Sequence, residues 1–219
     1  MKREIIITKD GSTTIHLPDW NETYHSKFGA IQEAEHVFIK NGLDLFKENN
    51  ISILEIGFGT GLNAFITLLE AEKRKQVINY VGVEAYPVLN EEIKSLNYSK
   101  ELKVEEKQEL FIKLHETEWE KENLITKNFL LKKRKQFFDK IDDVDTFDLI
   151  YFDAFGFRVQ PELWSEEIFD KMYKALKKGG VLVTYACRSS IKNAMLSVGF
   201  TIEKLPGAPG KREMLRAKK

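Results

Sequence analysis

Apolar and polar positions alternate in two different rhythms along this chain, and the rhythm changes near residue 51. Before it, "EIIITKDGSTTIHL" reads as two short strands around Asp10-Gly11, a favoured hairpin turn. The polar stretch that follows ends in Ala30, Ala34, Val37 and Phe38 at roughly helical spacing. Residues 1–50 are therefore expected to form a hairpin and cap, with residues 51–219 as the main domain. After residue 51, strand-like and helix-like segments take turns. "ISILEIG" predicts a strand, and "LNAFITLLEAEKRK" a helix with Leu62, Phe65, Ile66 and Leu69 on one face. "INYVGVEA" predicts a second strand, and the charged run from "EEIKSLNYSK" to "EKENL" mostly helix. "KNFLLKKRKQFF" is an ambiguous third strand region.

"FDLIYFDAF" predicts a further strand. "PELWSEEIFDKMYKALKKGG" predicts a helix, with proline near its start and glycine beyond its lysines. "GVLVTYA" reads as strand, "SSIKNAMLSVG" as helix and "FTIEKLPG" as strand, and "GKREMLRA" as a last strand that a Pro-Gly turn makes antiparallel to its predecessor. Alternating strands and helices imply a mostly parallel, Rossmann-like α/β sheet covered on both faces, with ligands at the carboxyl ends of its strands.

Composition narrows the partners. The 219 residues carry 34 basic and 34 acidic side chains, so any nucleic-acid contact must come from a local basic patch. No apolar run approaches the roughly 20 residues of a membrane span, and "MKREIIITKDG" does not read as a signal peptide. A cytoplasmic location is the expectation. The single cysteine, Cys187, excludes an internal disulfide and a multi-cysteine metal site, and no metal is expected.

The chemistry concentrates at two strand ends. "LEIGFGTGLN" places Gly57, Gly59 and Gly61 between the first parallel strand and its helix. The spacing G-x-G-x-G departs from the G-x-G-x-x-G of dinucleotide folds. Glu55, just before the turn, would repel a pyrophosphate but suits the ammonium end of S-adenosylmethionine. Glu84 ends the second strand, where a carboxylate can accept hydrogen bonds from both ribose hydroxyls. S-adenosyl-L-methionine is the cofactor these positions indicate, with Asn63 beside the turn as a further contact. Methyl transfer from a sulfonium is a direct displacement that needs alignment rather than a covalent catalyst. That suits the lone acid Asp153 of "DLIYFDAFGFRVQPELW", expected to orient an amine and take up its proton. Phe155, Phe157 and Trp164 are candidates to line a slot for a flat base.

These residues resemble a known family, the tRNA wobble-uridine 5-aminomethyl methyltransferases, which occur as one half of the bifunctional enzyme MnmC and as standalone MnmD proteins. The resemblance runs through "DGSTTIHLPDWNETYHSKFGAIQEAEHVFI", "LEIGFGTGLN", "DLIYFDAFGFRVQPELWSEEIF", "GGVLVTYA" and "LPGAPGKREMLRA". It covers most of the chain outside residues 86–145. It implies a class I methyltransferase fold and methylation of the primary amine of 5-aminomethyl(-2-thio)uridine at tRNA position 34. It implies Glu55, Gly57, Gly59, Gly61 and Glu84 around the cofactor and Asp153 at the amine. The length suits the standalone type, which depends on a separate enzyme for the aminomethyl intermediate. Partners are then tRNA, with neither membrane nor DNA.

Tyr24, Ser26 and Glu33 of "YHSKFGA" and its following helix are candidates for a lid, and Lys211 and Arg212 for phosphate contacts. Two departures stand out. The run after the fifth strand reads "CRSSIKNAM", with Arg188 and Lys192 in place of the charges of a Lys-Gly-x-x-Arg-Arg-like run and Ser189 in place of its glycine. The acid expected near the adenine is unassigned in "KNFLLKKRKQFFDKIDD". Two competing readings are a small-molecule amine N-methyltransferase of the same fold and a non-catalytic tRNA-binding module.

Overall fold

The structure, a computed structural model, describes residues 2–219. Asp10 and Gly11 close the first turn. There the Asp10 carboxylate accepts hydrogen bonds from the Ser12 amide and hydroxyl, and Gly11 takes φ +88°. Strands β1 (Glu4–Ile7) and β2 (Thr13–Leu17) thereby pair antiparallel, and β3 (Glu22–Thr23) completes a three-stranded sheet. Helix α1 (Ala30–Ala34) continues as a π-helical stretch over Glu35–Lys40. Its Ala30, Ala34, Val37 and Phe38 are all buried, against the main sheet as well as their own neighbours.

The main domain follows in chain order as β4 (Asn50–Ile56), α2 (Leu62–Arg74), β5 (Val77–Val83), α3 (Asn90–Lys94), α4 (Tyr98–Glu101), α5 (Gln108–Glu116), β6 (Glu122–Thr126) and β7 (Phe129–Arg134). Next come β8 (Phe147–Phe152), α6 (Glu166–Ala175), β9 (Leu176–Thr184), α7 (Ser189–Ser197), β10 (Thr201–Pro206) and β11 (Glu213–Lys218). Eight strands form one sheet in the order β10-β11-β9-β8-β4-β5-β7-β6. The five from β9 to β7 are parallel, and β11 runs antiparallel between β9 and β10.

Four details differ from the expectation. A second antiparallel strand, β6, pairs with β7 at the other edge, built from the "ENLIT" end of the run expected to be helical. The rest of that run breaks into three short helices. Helix α6 starts only after a 3-10 turn at Pro161–Trp164, capped by the Ser165 hydroxyl, and ends at Ala175, before Lys177, Lys178 and the two glycines. Those residues instead extend β9, because Leu176 pairs with Phe147 of the neighbouring strand. Helix α2 is buried on all sides from Leu62 to Leu68 and not on one face alone, since α1 and α5 cover what the sheet does not.

Strand alternation then decides what each face carries. On β4, Leu54 and Ile56 join the core beneath α6 and α7, while Ile51 and Ile53 join the core beneath α1, α2 and α5. Glu55 shares the second face, and so do Tyr151 and Asp153 of the neighbouring strand by the same period.

Candidate active site

The carboxyl ends of β4, β5 and β8 open into one cavity of about 1920 Å³, and three parts of the chain wall it. The glycine loop forms its floor. Gly57 has φ +91°, and a Cβ there would lie 2.6 Å from the carbonyl oxygen of Asp153. At Gly59, φ is +48° and a Cβ would meet the Tyr24 ring at 3.1 Å. Both positions thus favour glycine for conformation, and Gly57 demands it for space as well. Gly61, also in the left-handed region at φ +71°, is the residue from which α2 departs. The Glu84 carboxylate ties this loop to β5, accepting from the Gly59 amide at 3.0 Å and the Tyr86 amide at 2.8 Å. A carboxylate has about four acceptor sites, so Glu84 keeps capacity for further donors on the cavity side.

Asp153 and Glu55 are joined by one side chain. Asn63, on the first turn of α2, donates its amide group to Glu55 Oε1 and to Asp153 Oδ2, both at 2.9 Å. Its own Oδ1 is buried without a partner, as is Glu55 Oε2. Glu55 is fully buried, and burial pushes its carboxyl well above the usual range. It therefore sits behind the cavity wall in surroundings that favour the protonated acid. Glu55 does not line the cavity: strand alternation points it under α2, and Asn63 stands between it and Asp153. Asp153 does line the cavity. Burial, and to a smaller degree the nearby Glu33 carboxylate, raises its pKa to about 7, against the lowering effects of Asn63 and Lys211.

The loop after Asp153 is pinned from several sides. Tyr185 Oη donates to the Ala154 carbonyl at 2.9 Å, and the Trp164 indole N–H to the Phe155 carbonyl at 2.8 Å. Arg158 donates to the Trp20 and Asn21 carbonyls, tying the loop to the N-terminal sheet. Phe155 packs edge-on against Trp20 and Tyr24, with ring centroids 5.8 and 5.0 Å apart. Trp164 is buried among Phe152 and Phe169 as core, away from the cavity. Phe157 and Arg212 lie outside the main cavity, on a neighbouring groove.

Above Asp153 the two ends of the chain meet. Glu33 is buried, accepts from the Ser26 amide at 2.8 Å, and forms an ion pair with Lys211. The Lys211 ammonium also stands 3.6 Å from the centroid of the Tyr185 ring, a cation–π contact. Tyr24, Ser26, Glu33 and Lys211 all line the cavity.

Three features had no assignment from the sequence. Asp139, in a 3-10 turn after β7, reaches the cavity wall beside Phe138, where an adenine-binding acid was sought. It was hidden in a charge-rich loop that also carries Asp142, Asp143 and Asp145. His25 links β2 to the glycine loop, with Nδ1 3.0 Å from the Thr14 hydroxyl and Nε2 3.4 Å from that of Thr60. Burial lowers its pKa to about 4, so it is neutral. Lys133, on β7, is 1% exposed, donates to the His115 carbonyl and lies 4.9 Å from the Trp119 ring; burial lowers its pKa to about 8. A lysine in a lysine-rich run gives no such signal.

A doubly wound sheet with an antiparallel β11, a glycine turn after the first parallel strand and an acid at the end of the next define a class I methyltransferase. The chain belongs to the S-adenosyl-L-methionine-dependent methyltransferase family, whose model matches residues 100–219. It is similar to the tRNA 5-methylaminomethyl-2-thiouridine biosynthesis bifunctional protein MnmC of Leptospira interrogans, 31% identical over 230 residues, which cover 96% of this chain and 34% of that protein. The MnmC of Campylobacter fetus is also 31% identical, over 211 residues covering 89% of this chain and 34% of the relative. The chain thus spans about a third of the length of these relatives. Among solved structures, MnmC2 from Aquifex aeolicus superposes with TM-score 0.79 at 22% identity, covering 99% of this chain and 69% of that one. Spermidine synthase from Thermotoga maritima shares the fold, with TM-score 0.58 and 14% identity over 95% of this chain and 69% of that one.

The cavity suits the cofactor of this family. Its floor is the glycine turn, where Gly57 keeps a backbone approach to Asp153 that a Cβ would break, Glu84 retains acceptor capacity there, and Asn63 Oδ1 is a buried acceptor without a donor. Among the described residues, no helix is long and apolar enough to cross a membrane.

Proposed function

We propose that this protein methylates the primary amine of 5-aminomethyl(-2-thio)uridine at tRNA position 34, giving the 5-methylaminomethyl form. The observation that carries the reading is Asp153: a cavity-facing acid held by Asn63 and set in a pinned loop, within a chain similar over nearly its whole length to MnmC proteins.

In this reading Gly57, Gly59, Asn63, Glu84 and Asp139 hold S-adenosylmethionine, and Gly61 gives the turn its shape. The bound cofactor supplies the electrophilic methyl group. Asp153 accepts a hydrogen bond from the neutral amine, aligning its lone pair, and takes the proton that the new N–C bond makes acidic. Asn63 fixes one carboxylate oxygen and leaves the other for the amine. Burial above all raises Asp153 to about 7, a pKa suited to proton exchange near neutrality. Phe155 and Tyr24 flank the base, and residues 1–50 serve as a cap whose Ser26 and Glu33 close over the site. A cytoplasmic location, tRNA as partner and a separate source of the aminomethyl group belong to the same proposal.

Nucleoside mass spectrometry tests it. With methyl-labelled S-adenosylmethionine and tRNA carrying 5-aminomethyl-2-thiouridine, label is expected in 5-methylaminomethyl-2-thiouridine. Absence of label from a protein that binds S-adenosylhomocysteine would overturn the substrate and leave a small-molecule amine as the acceptor to test.

A further inference from the structure

The cavity does not end at Asp153. Gly156, Tyr185 and Lys211 line it and also line a shallow groove of about 470 Å³ on the outer side of the same loop. The groove therefore adjoins the reaction site and shares these three residues with it. Phe157 forms one wall of that groove, and the Arg188 guanidinium lies 4.7 Å from the centroid of its ring. Arg212 forms part of another wall and is exposed. Glu213, the acid in the groove, is engaged by Lys204 at 3.1 Å. Among the described residues, Arg188 and Arg212 thus have no ion-pair partner. A protein with no net charge keeps two unpaired guanidinium groups and a partly exposed aromatic ring beside its reaction site.

These are the groups that recognise single-stranded nucleic acid. A ring and a guanidinium plane both offer stacking surfaces to a base, and a free guanidinium forks onto phosphate oxygens. An acidic peptide would use the cations but leave the ring without a task. We propose that this groove holds the nucleotide adjoining the target uridine, its base on the Phe157–Arg188 pair and its phosphate at Arg212, with Lys211 at the junction. The proposal rests on the RNA-methylation reading above and adds to it a subsite that reads the neighbour.

The test uses an anticodon stem-loop RNA carrying 5-aminomethyluridine, together with two versions in which one or the other neighbour of that uridine is abasic. Stacking of one base on an aromatic ring corresponds to a loss of about 5- to 100-fold when the base is removed. For the wild-type protein, one abasic version should lower kcat/KM by that factor. In Phe157→Leu, which keeps an apolar side chain but loses the ring, the intact RNA should already react at the reduced rate, and the same abasic change should cost nothing more. In Arg212→Gln, the dependence of log K on log salt for RNA binding should flatten by about 0.7, the share of one single-strand phosphate contact. S-adenosylhomocysteine affinity, measured in parallel, should be unchanged in all variants. An abasic penalty equal in wild type and Phe157→Leu, or an unaltered salt slope, overturns the groove proposal while the function stands. Failure of the wild-type protein to methylate any of the RNAs while it binds S-adenosylhomocysteine overturns both.

Discussion

At the scale of single residues, the site is governed by what surrounds two carboxylates. Asp153 and Glu55 lie on one sheet face and share the Asn63 amide, yet one faces the cavity and the other is sealed beneath α2. Asp153→Asn should lower single-turnover methyl transfer by about 10²- to 10⁴-fold, the usual worth of a positioned general base, with S-adenosylhomocysteine affinity retained. In the wild-type protein the rate should climb with pH through about 7 as Asp153 gives up its proton. That limb should disappear in Asp153→Asn, leaving only the ionisation of the substrate amine. Stability carries the same signature with a defined sign. The folded chain holds this proton up to about pH 7, whereas the ordinary value is 3.8. Between those limits the folded state binds more protons, so its stability falls as pH rises and the full cost is present above pH 7. Asp153→Asn should therefore melt higher than wild type at pH 8, by something on the order of 2–4 kcal/mol, and lose most of that advantage at pH 4. Thermal melts at the two pH values measure it. A sequence shows that an acid ends a strand. It does not show whether the acid is wet: Glu55 is fully buried, whereas Glu84, one residue past β5, lines the cavity.

At the scale of elements, the glycine turn is where β4, α2 and the Asp153 loop are closest. Gly57→Ala would put a methyl group within 2.6 Å of the Asp153 carbonyl oxygen in a left-handed conformation. The combined strain should cost about 1–3 kcal/mol and abolish measurable cofactor binding, read by urea melts and by titration with S-adenosylhomocysteine. This turn was legible because its spacing and the apolar strand before it are local features. The order of β4, β5, β8 and β9 was legible for the same reason. The region 86–126 was not: its charged residues suit exposed helix and exposed edge strand equally, and only pairing with β7 makes "ENLIT" a strand. The early end of α6 has the same cause, since a lysine-rich helix terminus and an edge of β9 differ only in what lies beside them.

At the scale of the whole molecule, the N-terminal and C-terminal segments close the site together. Glu33 and Lys211 are 178 positions apart and pair above Asp153. Lys211→Met alone should leave the buried Glu33 carboxylate with only the Ser26 amide, costing about 1–3 kcal/mol. Glu33→Gln together with Lys211→Met should cost less than the two single changes added, as expected for groups in contact. Urea melts of the four proteins measure the coupling, and simple additivity would show that the pair carries no energy of its own.

Determined by the sequence alone were the fold class and the nucleotide-type turn, and the sequence also put Asp153 at the end of its strand as the acid to weigh. These follow from periodicity, glycine spacing and residue type, which are properties of neighbours along the chain. Decided by the tertiary structure were the burial of Glu55, the bridging role of Asn63, the arrival of Asp139 at the cavity wall, and the groove beyond Lys211. Each depends on burial or on partners from distant segments, and the dielectric surroundings of a group exist only once those segments are packed.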